Sequence, residues 1–223
     1  MTAISISFFI FGTGSNAAKL PQILAAMGAC MGAFCLGNGF GWTSPTFPAI
    51  ACETESDTGL CPAECDYCFS SDQSGWIAAM FTLGAFLSSF VTGVSLSMVG
   101  RKWTLIGMGV PFVLGWVLLL LPVPLELSTD AAIWMFYMGR FVTGFAGGSY
   151  ALAAPVYIGE TAEASMRGAL GSCMQLSLTI GILFCYAVGA GVDWVILTGL
   201  CIIFPCEFHK PILFNKAIHI KIS

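Results

Sequence analysis

Five stretches of about twenty apolar residues, at 23–43, 74–99, 103–121, 131–158 and 168–192, constrain this chain more than anything else in it. Roughly 20 residues of helix cross the hydrocarbon core of a bilayer, so each stretch is long enough to span one. A sixth run, 194–205, is about a dozen residues long and falls short. The chain is 57% hydrophobic and only 9% charged, where soluble domains carry about 25% charged residues. Lipid is the expected solvent and an all-α membrane protein the expected fold class. Eight Lys+Arg and a net charge of −4 leave no material for a basic face, so no nucleic-acid partner is expected. Residues 1–20 hold a short apolar patch without a basic flank or cleavage site, and read as a cytosolic arm.

Orientation follows from the cations. Lys19 precedes the first span, Arg101 and Lys102 separate the second and third, and Arg167 separates the fourth and fifth. With regular alternation these loops share one side, the cytosol. The opposite loops carry Glu53, Glu55, Asp57, Glu64, Asp66, Asp72, Glu126 and Asp130 with no Lys or Arg among them. Trp76, Trp134 and Trp194 fall near the outer ends of spans, as interfacial anchors do. Three GxxxG pairs, Gly28-Gly32, Gly37-Gly41 and Gly144-Gly148, permit close helix contact, although glycine is common in membrane helices generally. GNGFG at 37–41 sits inside an apolar span with no strand before it, which excludes a nucleotide loop.

Arg140 lies about nine residues inside the fourth span, roughly 13–14 Å at helical rise. Two readings stand: a cation lining a wet cavity, or one snorkelling to the headgroups. Glu160, Glu163 and Arg167 follow where that span emerges, opposite Arg101 and Lys102. Opposite charges on neighbouring loops can hold helices in one conformation, and breaking them lets the helices rock. Positive-inside signalling explains the cations equally well, but not the glutamates.

GRF at 139–141, PVYIGE at 155–160, RGALGS at 167–172, and Gln175-Leu176 followed by Thr179 and Gly181 resemble the sugar porter family of the major facilitator superfamily. GRK at 100–102 is similar to the end of that superfamily's loop between helices two and three. GWTSP at 41–45 and the phrase VYIGET resemble its trehalose-transporter-like branch. The resemblance covers about residues 20–205. It implies a six-helix amino-terminal bundle of inverted three-helix repeats, with the sixth helix truncated. It further implies that Gln175, Arg140 and Thr179 contact the sugar, and that Arg101, Lys102, Glu160 and Arg167 form a conformational charge network. Without the resemblance, Gln175 is a polar side chain seven residues inside an apolar helix, as suited to gluing helices together as to binding a solute.

Family members coupled to protons carry an aspartate after a Phe-Gly-Tyr triplet in the first helix. Here Phe40-Gly41-Trp42 is followed by Thr43, which does not titrate, so facilitated diffusion is expected. The acidic residue expected four places after Gly93 is Ser97. Cys52, Cys61, Cys65 and Cys68 crowd the first outer loop. A cytosolic loop would suggest zinc, whereas an outer one suggests two disulfides with three possible connectivities. The tail from 206 to 223 resembles nothing in the family; a truncated splice form, a retained intron or an incomplete gene model would each account for it. The expected organisation is a cytosolic arm at 1–20, a transmembrane bundle at 21–205 and a divergent tail at 206–223. The expected function is facilitative transport of a hexose or trehalose by a half-transporter, with no enzyme activity, cofactor or metal. The alternatives are a non-transporting chain that regulates a full-length relative, or a receptor using the cysteine-rich loop. Expected partners are a small sugar, the lipid bilayer and another half or full-length transporter, in the plasma membrane with a cytosolic N-terminus.

Overall fold

The computed structural model describes residues 16–50, 67 and 69–214, and side chains for 26–48, 50, 67 and 69–205. The cysteines at 52, 61, 65 and 68, the start of the arm and the end of the tail lie outside the described residues.

Eight helices make up the described chain: α1 (Asn16–Gly41), α2 (Thr43–Ile50), α3 (Ser71–Met98), α4 (Arg101–Gly107), α5 (Gly109–Leu120), α6 (Thr129–Thr161), α7 (Arg167–Gly189) and α8 (Trp194–Phe214). Four helical segments, Ser71–Met98, Arg101–Leu120, Thr129–Thr161 and Arg167–Gly189, are long and apolar enough to cross a membrane. α1 adds 26 residues and α8 adds 21. Helix α1 begins at Asn16, inside the stretch read as an arm, and α8 runs unbroken past Pro205 to Phe214. The described side chains of α8 end at Pro205, and their apolar stretch Trp194–Pro205 coincides with the short sixth run seen in the sequence.

Local chemistry sets the boundaries. α3 opens with a capping box, in which Gln73 N–H donates to Ser70 Oγ at 3.3 Å and Ser70 N–H donates to Gln73 Oε1 at 2.9 Å. It ends at Gly100, whose φ of +88° suits a residue without Cβ. The third span breaks at Met108 because Pro111 offers no N–H to the Gly107 carbonyl and its ring crowds it. The same logic divides α1 from α2, where Pro45 stands four residues after Gly41.

Helix pairing reveals an internal symmetry. The principal contacts are α3 with α6, α1 with α7, α5 with α6, α1 with α8, α5 with α8 and α1 with α6. Let the three spans of α1, α3 and α4–α5 be exchanged with those of α6, α7 and α8. The α1–α7 pair then becomes α6–α3, and α5–α6 becomes α8–α1. The other two pairs map onto themselves, so the whole set is preserved, as two inverted three-helix repeats require.

Glycines carry this symmetry to single residues. A Cβ on Gly37 would collide with the carbonyl of Leu178, and one on Gly181 with that of Phe34. Between α3 and α6, a Cβ on Gly144 would collide with the Phe81 carbonyl, and one on Gly84 with that of Phe141. Each glycine thus meets the residue three positions before its opposite glycine, at both interfaces. The sequence reading treated Gly37-Gly41 and Gly144-Gly148 as generic small-residue pairs. They are equivalent positions of the two repeats, where backbones touch.

The buried core runs through Trp42, Phe112, Trp116, Phe136 and Tyr150, while Phe86, Phe90, Val110 and Leu183 face outward. An exterior this apolar belongs in lipid. Trp76 and Trp134 are exposed, as interfacial anchors must be. Trp194 is instead buried, with its ring 6.0 Å from that of Phe136.

Candidate functional site

The predicted solute contacts separate into two places. Gln175 and Thr179 lie one helical turn apart on an exposed face of α7, in line with Ser172. The Thr179 hydroxyl donates to the Gln175 backbone carbonyl at 3.1 Å, and Ser172 likewise donates to Gly168 at 3.1 Å. Each hydroxyl proton is therefore used within the helix, and its oxygen remains an acceptor toward the open side. Among the described residues the Gln175 carboxamide makes no hydrogen bond, which leaves both its donors and its acceptor available. Leu176, Ile180 and Leu183 flank the pair and are also exposed.

Arg140 is elsewhere. It is 2% exposed and turned into the bundle, so it neither snorkels nor opens to solvent in this structure. Its Nη1 donates to the Gly39 carbonyl of α1 at 2.8 Å, and its guanidinium carbon lies 4.5 Å from the centre of the Phe81 ring and 5.4 Å from that of Trp42. Among the described residues its Nε has no hydrogen-bond partner. Electron-rich ring faces and a helix-end carbonyl stand in for the carboxylate that a buried cation usually needs.

The Gly39 carbonyl is free for Arg140 because the helix ends there. The last α1-type bond runs from Trp42 N–H to Asn38 C=O at 3.0 Å. Among the described residues, the carbonyls of Gly39, Phe40 and Gly41 then have no helical donor across the break. Gly39 takes Arg140; Phe40 takes the Thr43 hydroxyl at 3.4 Å; the N–H that Gly41 would use is missing from Pro45. Trp42, at the joint, donates through Nε1 to Thr198 Oγ1 at 2.8 Å, and Thr198 donates on to Trp194 C=O at 2.7 Å. Its ring meets Trp116 edge-on at 6.1 Å. Sequence reasoning missed Trp42, Thr198 and the break, although Pro45 four residues after Gly41 was a readable signal.

At the end of the bundle where α3 and α6 finish, two of the charged residues named from the sequence meet. Arg101 donates to Glu160 Oε1 through Nη2 at 2.7 Å and Nε at 3.0 Å, with both side chains nearly half exposed. Arg167 reaches the Ala162 carbonyl at 3.5 Å, which steadies the α6–α7 turn rather than joining the clasp. Lys102 forms no ion pair among the described residues. No cluster able to hold a metal ion occurs among the described residues.

Two clefts complete the picture at the opposite end. One of about 870 Å³ is bordered by Pro45, Tyr67, Glu126, Asp193 and Trp194, and one of about 460 Å³ by Thr43, Ser44, Phe47, Phe69, Ser71 and Ser74.

Comparison with known proteins agrees with this architecture. The pattern of the family described as Sugar (and other) transporter matches residues 25–213. The Solute carrier family 2, facilitated glucose transporter member 8 of Bos taurus is 34% identical over 171 residues, which is 77% of this chain and 32% of the relative. The Facilitated trehalose transporter Tret1 of Polypedilum vanderplanki is 29% identical over 187 residues, or 84% of this chain and 34% of the relative. Among solved structures, a D-xylose-proton symporter matches the fold with a TM-score of 0.66 at 19% identity, over 86% of this chain and 47% of that one. The chain therefore spans about a third of the length of the curated relatives it matches.

Proposed function

Because the chain belongs to the sugar transporter family, we propose that it forms the amino-terminal half of a facilitative transporter for a hexose or trehalose. It is a multi-pass membrane protein; the plasma membrane and a cytosolic N-terminus are part of the proposal. The observation that carries it is the exposed Gln175–Thr179 pair. A carboxamide offers two donors and an acceptor, and the adjacent hydroxyl oxygen offers another acceptor, which suits the mixed donor–acceptor groups of a sugar. A dehydrating sugar hydroxyl exchanges water for these groups at little net cost, so binding stays weak enough to release. No bond is made or broken in the solute. Arg140, enclosed elsewhere in the bundle, supports the fold rather than touching the cargo, and Thr43 gives the site no titrating carboxylate for proton coupling.

Alternating access needs an opposing wall, which a second half-transporter supplies. The Arg101–Glu160 clasp ties α4 to the end of α6, and its opening accompanies the switch in which side is open. Uptake of labelled glucose and trehalose tests the proposal in cells lacking sugar transporters, with this chain expressed alone and with the carboxy-terminal half of a relative. Uptake above background that falls in Gln175→Ala supports it. Absence of uptake in every pairing, together with reduced uptake by a co-expressed full-length relative, replaces it with a regulatory role.

A further inference from the structure

We infer that Arg140 is a positioning residue: its guanidinium closes the gap between α1 and α2 and thereby fixes the direction in which α2 leaves the bundle. The gap has a covalent cause, since Pro45 has no N–H to give Gly41 and its ring prevents the helix from running on. Of the carbonyls stranded there, Gly39 receives the shortest and only charged donor, Arg140 Nη1 at 2.8 Å. A full positive charge at the C-terminal end of α1 meets the negative end of that helix's macrodipole, where cations are favoured. The guanidinium carbon lies 4.5 Å from the centre of the Phe81 ring of α3 and 5.4 Å from that of Trp42 at the joint, and Trp42 is itself fastened to Thr198 of α8. One side chain on α6 thus determines how α1, α3 and α8 meet around the turn that carries Thr43 and Ser44. Lysine does not replace it, because an ammonium has no planar face to lie against a ring while reaching the carbonyl. The assignment differs from solute binding in its geometry: the guanidinium is sealed, and its polar contact is backbone of the same chain.

Amide hydrogen exchange followed by mass spectrometry, on the full chain in lipid nanodiscs without sugar, reads the joint directly. Arg140→Met removes the donor and keeps an apolar chain; exchange over residues 42–47 then rises roughly tenfold or more. Pro45→Ala restores the missing N–H, so the N–H groups of residues 43, 44 and 45 can reach the carbonyls of Gly39, Phe40 and Gly41 and the helix needs no outside donor. Added to Arg140→Met, it returns exchange to within about twofold of the parent. Unchanged exchange in Arg140→Met, or equally fast exchange in the double variant, overturns the assignment. If Arg140→Met yields no monodisperse protein, its recovery by Pro45→Ala supports the assignment and failure to recover overturns it. No sugar enters the measurement, so its result stands apart from that of the uptake experiment.

Discussion

A single methyl group added at Gly84 and at Gly93, nine residues further along α3, will change stability in opposite directions. Glycine inside a helix gives up about 0.5–1 kcal/mol relative to alanine through backbone entropy. At Gly93 a Cβ meets nothing within 4 Å, so Gly93→Ala gains that amount. At Gly84 the Cβ would fall on the Phe141 carbonyl and 2.8 Å from the Phe145 nitrogen, both backbone atoms of α6. Backbone cannot rotate aside, so the overpacking penalty sits at the upper end of roughly 1–3 kcal/mol and outweighs the entropy gain by about 2 kcal/mol. For a chain of this size, each kcal/mol moves the melting temperature by roughly 2–4 °C. Gly84→Ala then melts about 4–8 °C lower and Gly93→Ala about 1–4 °C higher, measured by tryptophan fluorescence on purified protein in detergent. The repeat symmetry adds a quantitative condition. Gly181→Ala, which drives a methyl into the Phe34 carbonyl, loses the same amount as Gly84→Ala to within about 1 kcal/mol, the scatter expected between packing sites. A shift of the same sign at Gly84 and Gly93 would refute the close-contact reasoning, and a harmless Gly181→Ala would refute the equivalence of the two interfaces.

Other outcomes follow from the remaining contacts. Because Arg101 and Glu160 are both nearly half exposed, a double-mutant cycle with Arg101→Gln and Glu160→Gln gives a coupling of no more than about 1 kcal/mol that shrinks in 1 M salt; coupling unchanged by salt would contradict a solvated pair. Trp42→Phe removes the 2.8 Å bond to Thr198 and the buried pyrrole portion of the indole, lowering stability by about 2 kcal/mol, and Thr198→Val then adds little on top, as thermal melts of the four proteins will show. In the reconstituted pair of halves, Gln175→Ala lowers sugar uptake about fivefold to tenfold through loss of one or two hydrogen bonds, while a protonophore leaves parental uptake unaltered. Uptake abolished by the protonophore would assign proton coupling despite Thr43.

The spans were legible in the sequence from residue type and spacing, and the Arg101–Glu160 ion pair from opposite charges at the ends of neighbouring spans. Twenty apolar residues define a crossing wherever they occur, and a glutamate and an arginine at the same end of neighbouring helices find one another. Arg140 shows where such reading stops. Its depth in the fourth span could be counted, but its environment is made by Gly39, Phe81 and Trp42, which lie far away in the chain and come together only through packing. Trp194 failed as an anchor for the same reason: proximity to a span end says nothing about Phe136 waiting beside it. The glycine equivalence was present in the letters but invisible without the helix pairing, since GxxxG is too common to signal a repeat by itself. Helix α8 runs on to Phe214 although Pro205 and Pro211 each withhold one N–H, so its end could not be read from the prolines alone.

The exchange of partners between the two triplets also dictates the order in which this protein can be built. Helix α1 docks mainly on α7 and α3 mainly on α6, so the first segments to leave the ribosome have nothing to bind until the later ones arrive. Until α6 emerges the Gly84 surface of α3, and until α7 emerges the Gly37 surface of α1, stands open in the lipid, available to neighbours of the wrong chain. Closure of the α1–α7 interface is consequently set by the emergence of α7, and a pause in synthesis before residue 181 would lengthen the interval in which quality-control machinery can intercept the nascent polypeptide.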